Sequence, residues 1–199
     1  MRLSTFSLSL TLWGGRFAAA QLQAVPNFGT NKSGTKMFVY EPKSGLPTNP
    51  AIVVGIHYCT GTAQKYFNSN PGLHELADQK KFVVIYPESP NSGGCWDVSS
   101  RATLKRNGGA DSQGIAEMVK WAVDKYKADG KRVFAIGESS GGMMAVCCLF
   151  SFLFLLPVCV GGSVGGRVVI FLCWSSSINS TLSMLVINLL SLVKPFTRG

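Results

Sequence analysis

A layered α/β fold around a parallel sheet is what this 199-residue sequence predicts. Three observations carry the prediction. Short apolar runs at Ala51-Ile52-Val53-Val54-Gly55-Ile56, Phe82-Val83-Val84-Ile85-Tyr86 and Val133-Phe134-Ala135-Ile136 have the length and composition of strands buried on both faces. Segments with helical spacing lie between them, so strand and helix alternate along the chain. The third run then ends in Gly137-Glu138-Ser139-Ser140-Gly141, a Gly-x-Ser-x-Gly placed where a strand must reverse into a helix.

In chain order, Lys36 to Tyr40 is the first expected strand, and Pro42 to Pro50 forms a loop rich in proline, glycine and asparagine. The run Ala51 to Ile56 delivers His57-Tyr58-Cys59-Thr60-Gly61-Thr62 to its C-terminal end. Asn70 as a cap and Pro71 at the first helical position open a helix. Its inward stripe is Leu73, Leu76 and Ala77, and Lys80-Lys81 closes it. The strand from Phe82 to Tyr86 is expected to stop at Pro87. A long loop from Glu88 to Ala110 follows, holding Gly93-Gly94-Cys95-Trp96-Asp97, and unstructured loops of that length are usually functional or disordered. Asp111 or Ser112 caps the next helix, whose buried face is Ile115, Met118, Val119, Ala122, Val123 and Tyr126. Asp129-Gly130 ends it, and the strand into the serine turn begins at Arg132. Reactive groups in such sheets gather beyond the C-terminal strand ends. His57 to Thr62, Cys95 to Asp97 and Ser139-Ser140 all belong there.

The serine turn has a specific chemistry. Gly137 and Gly141 lack a Cβ, so strand and helix can approach and leave the Ser139 hydroxyl exposed on a strained backbone. The Ser140 amide, at the start of the new helix, would face an oxyanion developing beside Ser139.

Charge does not point to nucleic acid. The chain carries 19 basic and 10 acidic residues, but positions 21 to 146 hold 14 basic against all 10 acidic. That net of +4 is scattered, without a basic stripe or interleaved aromatics. Residues 1–20 read as a secretory signal: Arg2, an apolar core from Leu3 to Trp13, and Ala18-Ala19-Ala20 as the cleavage site. Secretion agrees with a glycosylation sequon at Asn31-Lys32-Ser33 and permits disulfides.

His57-Tyr58-Cys59-Thr60-Gly61-Thr62, Ile85-Tyr86-Pro87, Ser92-Gly93-Gly94-Cys95-Trp96-Asp97-Val98-Ser99-Ser100 and Gly137-Glu138-Ser139-Ser140-Gly141-Gly142-Met143-Met144 resemble, in the same order, the secreted fungal acetylxylan esterases. These belong to carbohydrate esterase family one, with feruloyl esterases and polyhydroxybutyrate depolymerases as relatives. The resemblance runs from about Leu22 to Ala145. It implies the N-terminal portion of an α/β-hydrolase fold and removal of acetyl groups from xylan through an acyl-serine. It implies no metal and no cofactor. The expected partner is the acetylated xylan of plant cell walls, with no nucleic acid or membrane partner, and the protein is expected to be monomeric. By matching position Ser139 is the nucleophile, the backbone amides of Cys59 and Ser140 form the oxyanion hole, and Trp96 lies by the substrate cleft. Glu138 departs from the family's usual serine or alanine and is expected to point to solvent. Cys59 and Cys95, both beyond C-terminal strand ends in a chain read as secreted, are expected to form a disulfide.

A serine nucleophile needs a base, and in this fold the order is Ser, then Asp or Glu, then His. Here His57 and His74 are the only histidines, and both, with all ten acidic residues, precede Ser139. The matching family position makes His57 a loop-packing residue rather than a substitute base. From Val146 to Gly199 there is no acidic residue and no amphipathic period. That tail reads as a translated intron that leaves the far edge of the serine strand unpaired, with a membrane anchor or a divergent core as the other readings. The residues therefore divide into a signal at 1–20, a partial esterase domain at 21–145 and an aberrant apolar tail at 146–199. The competing functional reading is a non-catalytic, secreted or membrane-attached carbohydrate-binding protein.

Overall fold

A computed structural model describes residues 21–152 and the short strands at 158–159, 163–164 and 167–173. The expected signal at 1–20 lies outside the described residues. The strands are β1 (Gln23–Val25), β2 (Lys36–Tyr40), β3 (Ile52–Ile56), β4 (Val83–Glu88), β5 (Arg132–Glu138), β6 (Val158–Cys159), β7 (Ser163–Val164) and β8 (Arg167–Cys173). The helices are α1 (Ala63–Ser69), α2 (Pro71–Lys80), α3 (Arg101–Leu104), α4 (Asp111–Tyr126) and α5 (Ser140–Phe152). One sheet runs β1-β2-β4-β3-β5-β8-β6, with β7 paired to β8.

Strands β4, β3 and β5 are parallel, as the three buried runs predict. Residues on them alternate between two cores, as the two-residue period of a strand requires. Ile52, Val54, Ile56, Val83, Ile85, Val133 and Ala135 face one side, against Ile115, Met118 and Ala122 of α4 and Met144 and Ala145 of α5. Val53, Val84, Tyr86, Phe134 and Ile136 face the other, against Tyr66 and Phe67 of α1 and Leu73, Leu76 and Ala77 of α2. Helices thus cover both faces, which is why these strands are apolar throughout rather than alternating.

Several local expectations change. The chain is already helical at Ala63, directly after the rim loop, because the Thr62 hydroxyl accepts from the Lys65 amide and caps α1. Asn70 sits at the N-cap of α2 without a side-chain cap bond, its amide group donating back to the Tyr66 carbonyl instead. Pro87 does not stop β4, which continues to Glu88 because β2 pairs with it antiparallel from the other side. Asp111 is not the cap of α4; Ala110 holds that position and Asp111 is the first helical residue.

The larger difference lies beyond β5. Its far edge is paired, not open: β8 runs antiparallel to it over the full strand, from Arg132↔Cys173 to Glu138↔Arg167. Strand β7 pairs antiparallel with β8, Ser163↔Val168 and Val164↔Arg167, and β8 lies between β5 and β6. The run Arg167-Val168-Val169-Ile170-Phe171-Leu172-Cys173 is apolar and β-branched enough for that central place. Among the described residues no helix is long and apolar enough to cross a membrane.

Candidate active site

Ser139 occupies the turn between β5 and α5 with φ 52°, a left-handed conformation that a serine adopts only under constraint. The constraint is visible on both sides. A Cβ on Gly137 would lie 2.3 Å from the Gly141 carbonyl oxygen, and one on Gly141 would lie 2.3 Å from the Ile56 oxygen and 2.4 Å from that of His57. Helix α5 therefore starts directly against the end of β3, and only glycines fit where backbone meets backbone. Ser139 is exposed while Ser140 is buried, with its hydroxyl unpartnered. The first amides of α5, that of Ser140 included, have no intrahelical acceptor and are free to meet a negative charge.

The loop that β3 delivers is equally constrained. Tyr58 to Gly61 forms a turn closed by the Gly61 amide on the Tyr58 carbonyl at 3.0 Å, with Thr60 at φ 62°. A β-branched residue at positive φ is rare, and the Thr60 amide holds it there by donating to the Gly93 carbonyl at 2.7 Å. Cys59 and Cys95 are disulfide-bonded, joining this turn to the Gly93–Asp97 segment as the sequence predicts.

His57 lies beneath the turn, fully buried. The Ser89 amide donates to its Nε2 at 3.1 Å, so Nε2 carries a lone pair and the ring proton sits on Nδ1, which donates to the Tyr58 carbonyl at 2.7 Å. Burial pushes the imidazole below its ordinary value, opposed by that carbonyl and by the Glu88 charge. With both nitrogens committed, His57 cannot take a proton from Ser139.

Trp96, expected by the substrate cleft, is 4% exposed: its indole Nε1 donates to the His57 carbonyl at 2.8 Å while the ring lies 5.0 Å from the imidazole. The glycines before it, at positive φ, fold the loop back so that the indole enters the core. Glu138, at the end of β5, is half-buried. Asn31 is exposed, but its side chain organises its own loop: Nδ2 donates to the Thr35 carbonyl at 2.7 Å, and Oδ1 accepts from the Ser33 hydroxyl and the Gly34 amide.

Sequence reasoning gave two carboxylates, Asp97 of the loop and Asp111 at the start of α4, no part in organising the loop. Asp111 is buried and accepts from the Asn91 side chain and the Asp97 amide, tying the start of α4 to the segment beside the disulfide. Burial raises its carboxyl, partly offset by those hydrogen bonds. Asp97 accepts from the amides of Ser99 and Ser100 and from the Ser100 hydroxyl. Burial pushes Asp97 up, but those bonds outweigh it and hold the carboxyl below its ordinary value. A depressed folded-state value means stability that is present above the unfolded carboxylate range and lost as pH falls through the folded value. Asp97→Asn should therefore cost about 1 kcal/mol at neutral pH, and the difference from the parent chain should close in acid. Urea midpoints of the two chains at pH 7 and pH 2.5 check this, and a gap that persists unchanged at the lower pH would refute it. Among the described residues no cluster of three or more His, Cys, Asp or Glu side chains could hold a metal.

Comparison with known proteins follows the same residues. The esterase PHB depolymerase family model matches residues 36–184. Acetylxylan esterase A of Talaromyces purpureogenus is 57% identical over 129 residues, covering 65% of this chain and 33% of that protein. Acetylxylan esterase A of Aspergillus oryzae is 48% identical over 150 residues, covering 74% and 48%. Among solved structures, an acetyl xylan esterase from Aspergillus awamori superposes with a TM-score of 0.65 at 50% identity, covering 68% of this chain and 48% of that one. The chain spans from a third to about half the length of these curated relatives. Its fold is of the α/β-hydrolase type. The family match extends beyond Ala145 and past β8, to residue 184.

Proposed function

Because the chain belongs to the esterase PHB depolymerase family, we propose that it carries the nucleophile and oxyanion half of a secreted serine esterase that removes acetyl groups from xylan. The observation that carries the reading is Ser139, exposed at positive φ between two glycines that no other residue could replace. The names of relatives about half identical to it supply the substrate class. Ser139 Oγ attacks the acetyl carbonyl carbon, and its proton passes to a histidine base. The carbonyl electron pair moves onto oxygen, which takes hydrogen bonds from the Cys59 and Ser140 amides. Collapse expels the sugar hydroxyl, reprotonated by the same histidine, and leaves acetyl-Ser139; water repeats the sequence and releases acetate. The family order puts the histidine and its carboxylate after the nucleophile; residues 140–199 include no His, Asp or Glu, so in this proposal a relative's downstream half supplies them. The protein acts as a monomer, without cofactor, outside the cell, with a glycan on Asn31.

The test is a chimera of residues 1–145 with the downstream half of the A. awamori enzyme, assayed for acetate released from acetylated xylan. Release should fall roughly 10⁴-fold or more in Ser139→Ala; release that survives this substitution excludes the reading. The lack of a histidine after Ser139 favours a second reading, a non-catalytic xylan-binding protein. A chimera that retains xylan on a column but releases no acetate would support it.

A further inference from the structure

The Tyr58–Cys59 peptide is the most tightly held unit of the rim. Its oxygen accepts two hydrogen bonds, from His57 Nδ1 at 2.7 Å and from the Gly61 amide at 3.0 Å. The carbonyl of Tyr58 and the N–H of Cys59 belong to one planar trans unit, in which they point in opposite directions. Whatever fixes the oxygen therefore aims the N–H. Donors on the oxygen also polarise the same unit and make the N–H a stronger donor.

We infer that His57 is a positioning residue: by donating from Nδ1 to the Tyr58 carbonyl, it aims the Cys59 amide at the space in front of Ser139. This rests on the reading above, in which that amide stabilises the oxyanion. The imidazole suits the task because its tautomer is dictated from outside the turn. The Ser89 amide can only donate, so it forces the lone pair onto Nε2 and the proton onto Nδ1. The backbone of His57 is immobilised at the same time. Trp96 Nε1 holds its carbonyl, and Gly141 of the elbow helix packs so near that same oxygen that a Cβ there would lie 2.4 Å from it. Nucleophile helix and oxyanion turn thus share one contact point, and the imidazole translates it into a peptide orientation. The sequence suggests only that a histidine packs in the loop; the paired bonds on the two ring nitrogens assign it a direction.

Two substitutions separate the ring nitrogens. His57→Asn places an N–H donor where Nδ1 stands, whereas His57→Gln reaches the Nε2 position and keeps only an acceptor for Ser89. In the ¹⁵N-labelled chain, the Cys59 N–H residual dipolar coupling should shift in H57Q and stay near the parent value in H57N. In the chimera, kcat on a phenyl acetate ester should fall about 10²-fold in H57Q with KM little changed, and H57N should recover most of it. An unmoved Cys59 coupling in folded H57Q overturns the inference. A coupling that moves while kcat does not leaves the aiming role intact and removes Cys59 from the oxyanion hole. Should neither variant fold, the ¹⁵N shifts of the unsubstituted imidazole decide: a proton on Nε2 rather than Nδ1 overturns the inference directly.

Discussion

Gly141→Ala is expected to destabilise the chain by at least about 4 kcal/mol, and at 37 °C to leave it largely insoluble. The added methyl would stand 2.3 and 2.4 Å from two successive carbonyl oxygens at the end of β3. Both obstacles are backbone, so no side-chain rotation relieves them. The helix must lift away from the strand, taking Ser139 and the contact on the His57 loop with it. Gly45 supplies the control: it has φ +78° with nothing within 4 Å of an added Cβ. Gly45→Ala meets only the intrinsic cost of the left-handed backbone, about 1 kcal/mol. Urea midpoints of the two variants beside the parent separate steric exclusion from conformational preference. If Gly141→Ala unfolds within 1 kcal/mol of Gly45→Ala, α5 does not seat on β3 as described.

What the sequence made legible was periodicity and backbone necessity. Three apolar runs specify strands covered on both faces, and the glycines of the elbow announce a close approach that the structure places against Ile56 and His57. The Cys59–Cys95 bridge follows from two cysteines at one rim. The misses share a different cause: a partner distant in sequence decides them. The family resemblance puts Trp96 by the cleft but says nothing of its indole's partner, the carbonyl of His57 just past β3, 39 residues earlier. Asp111 reads as a cap because caps are local, but its acceptors serve Asn91 and Asp97 across the loop. The edge of β5 reads as open because the segment after Val146 has neither an acidic residue nor a helical period. A central strand needs neither, and β8 shows that an unpatterned apolar run can fill a place between two strands.

The 199-residue chain by itself should hydrolyse a phenyl acetate ester at less than about a thousandth of the rate of an intact relative. A serine hydroxyl at neutral pH reacts slowly unless a base removes its proton in the transition state. Neither histidine of this chain can serve as that base. His57 spends its lone pair on the Ser89 amide and its proton on the Tyr58 carbonyl. His74 belongs to α2, stacked on Phe67 at 4.2 Å and beside Tyr40, in the layer across the sheet from α5. Oxyanion donors alone sustain a residual rate, so the expected activity is small rather than zero, and Ser139→Ala should reduce what remains only slightly. Because β8 covers the edge of β5, the chain can be assayed folded; slow amide exchange through Val133–Gly137 confirms that it is. Turnover near that of an intact relative, abolished by Ser139→Ala in a sample with protected β5 amides, would mean that a base reaches Ser139 from within these residues.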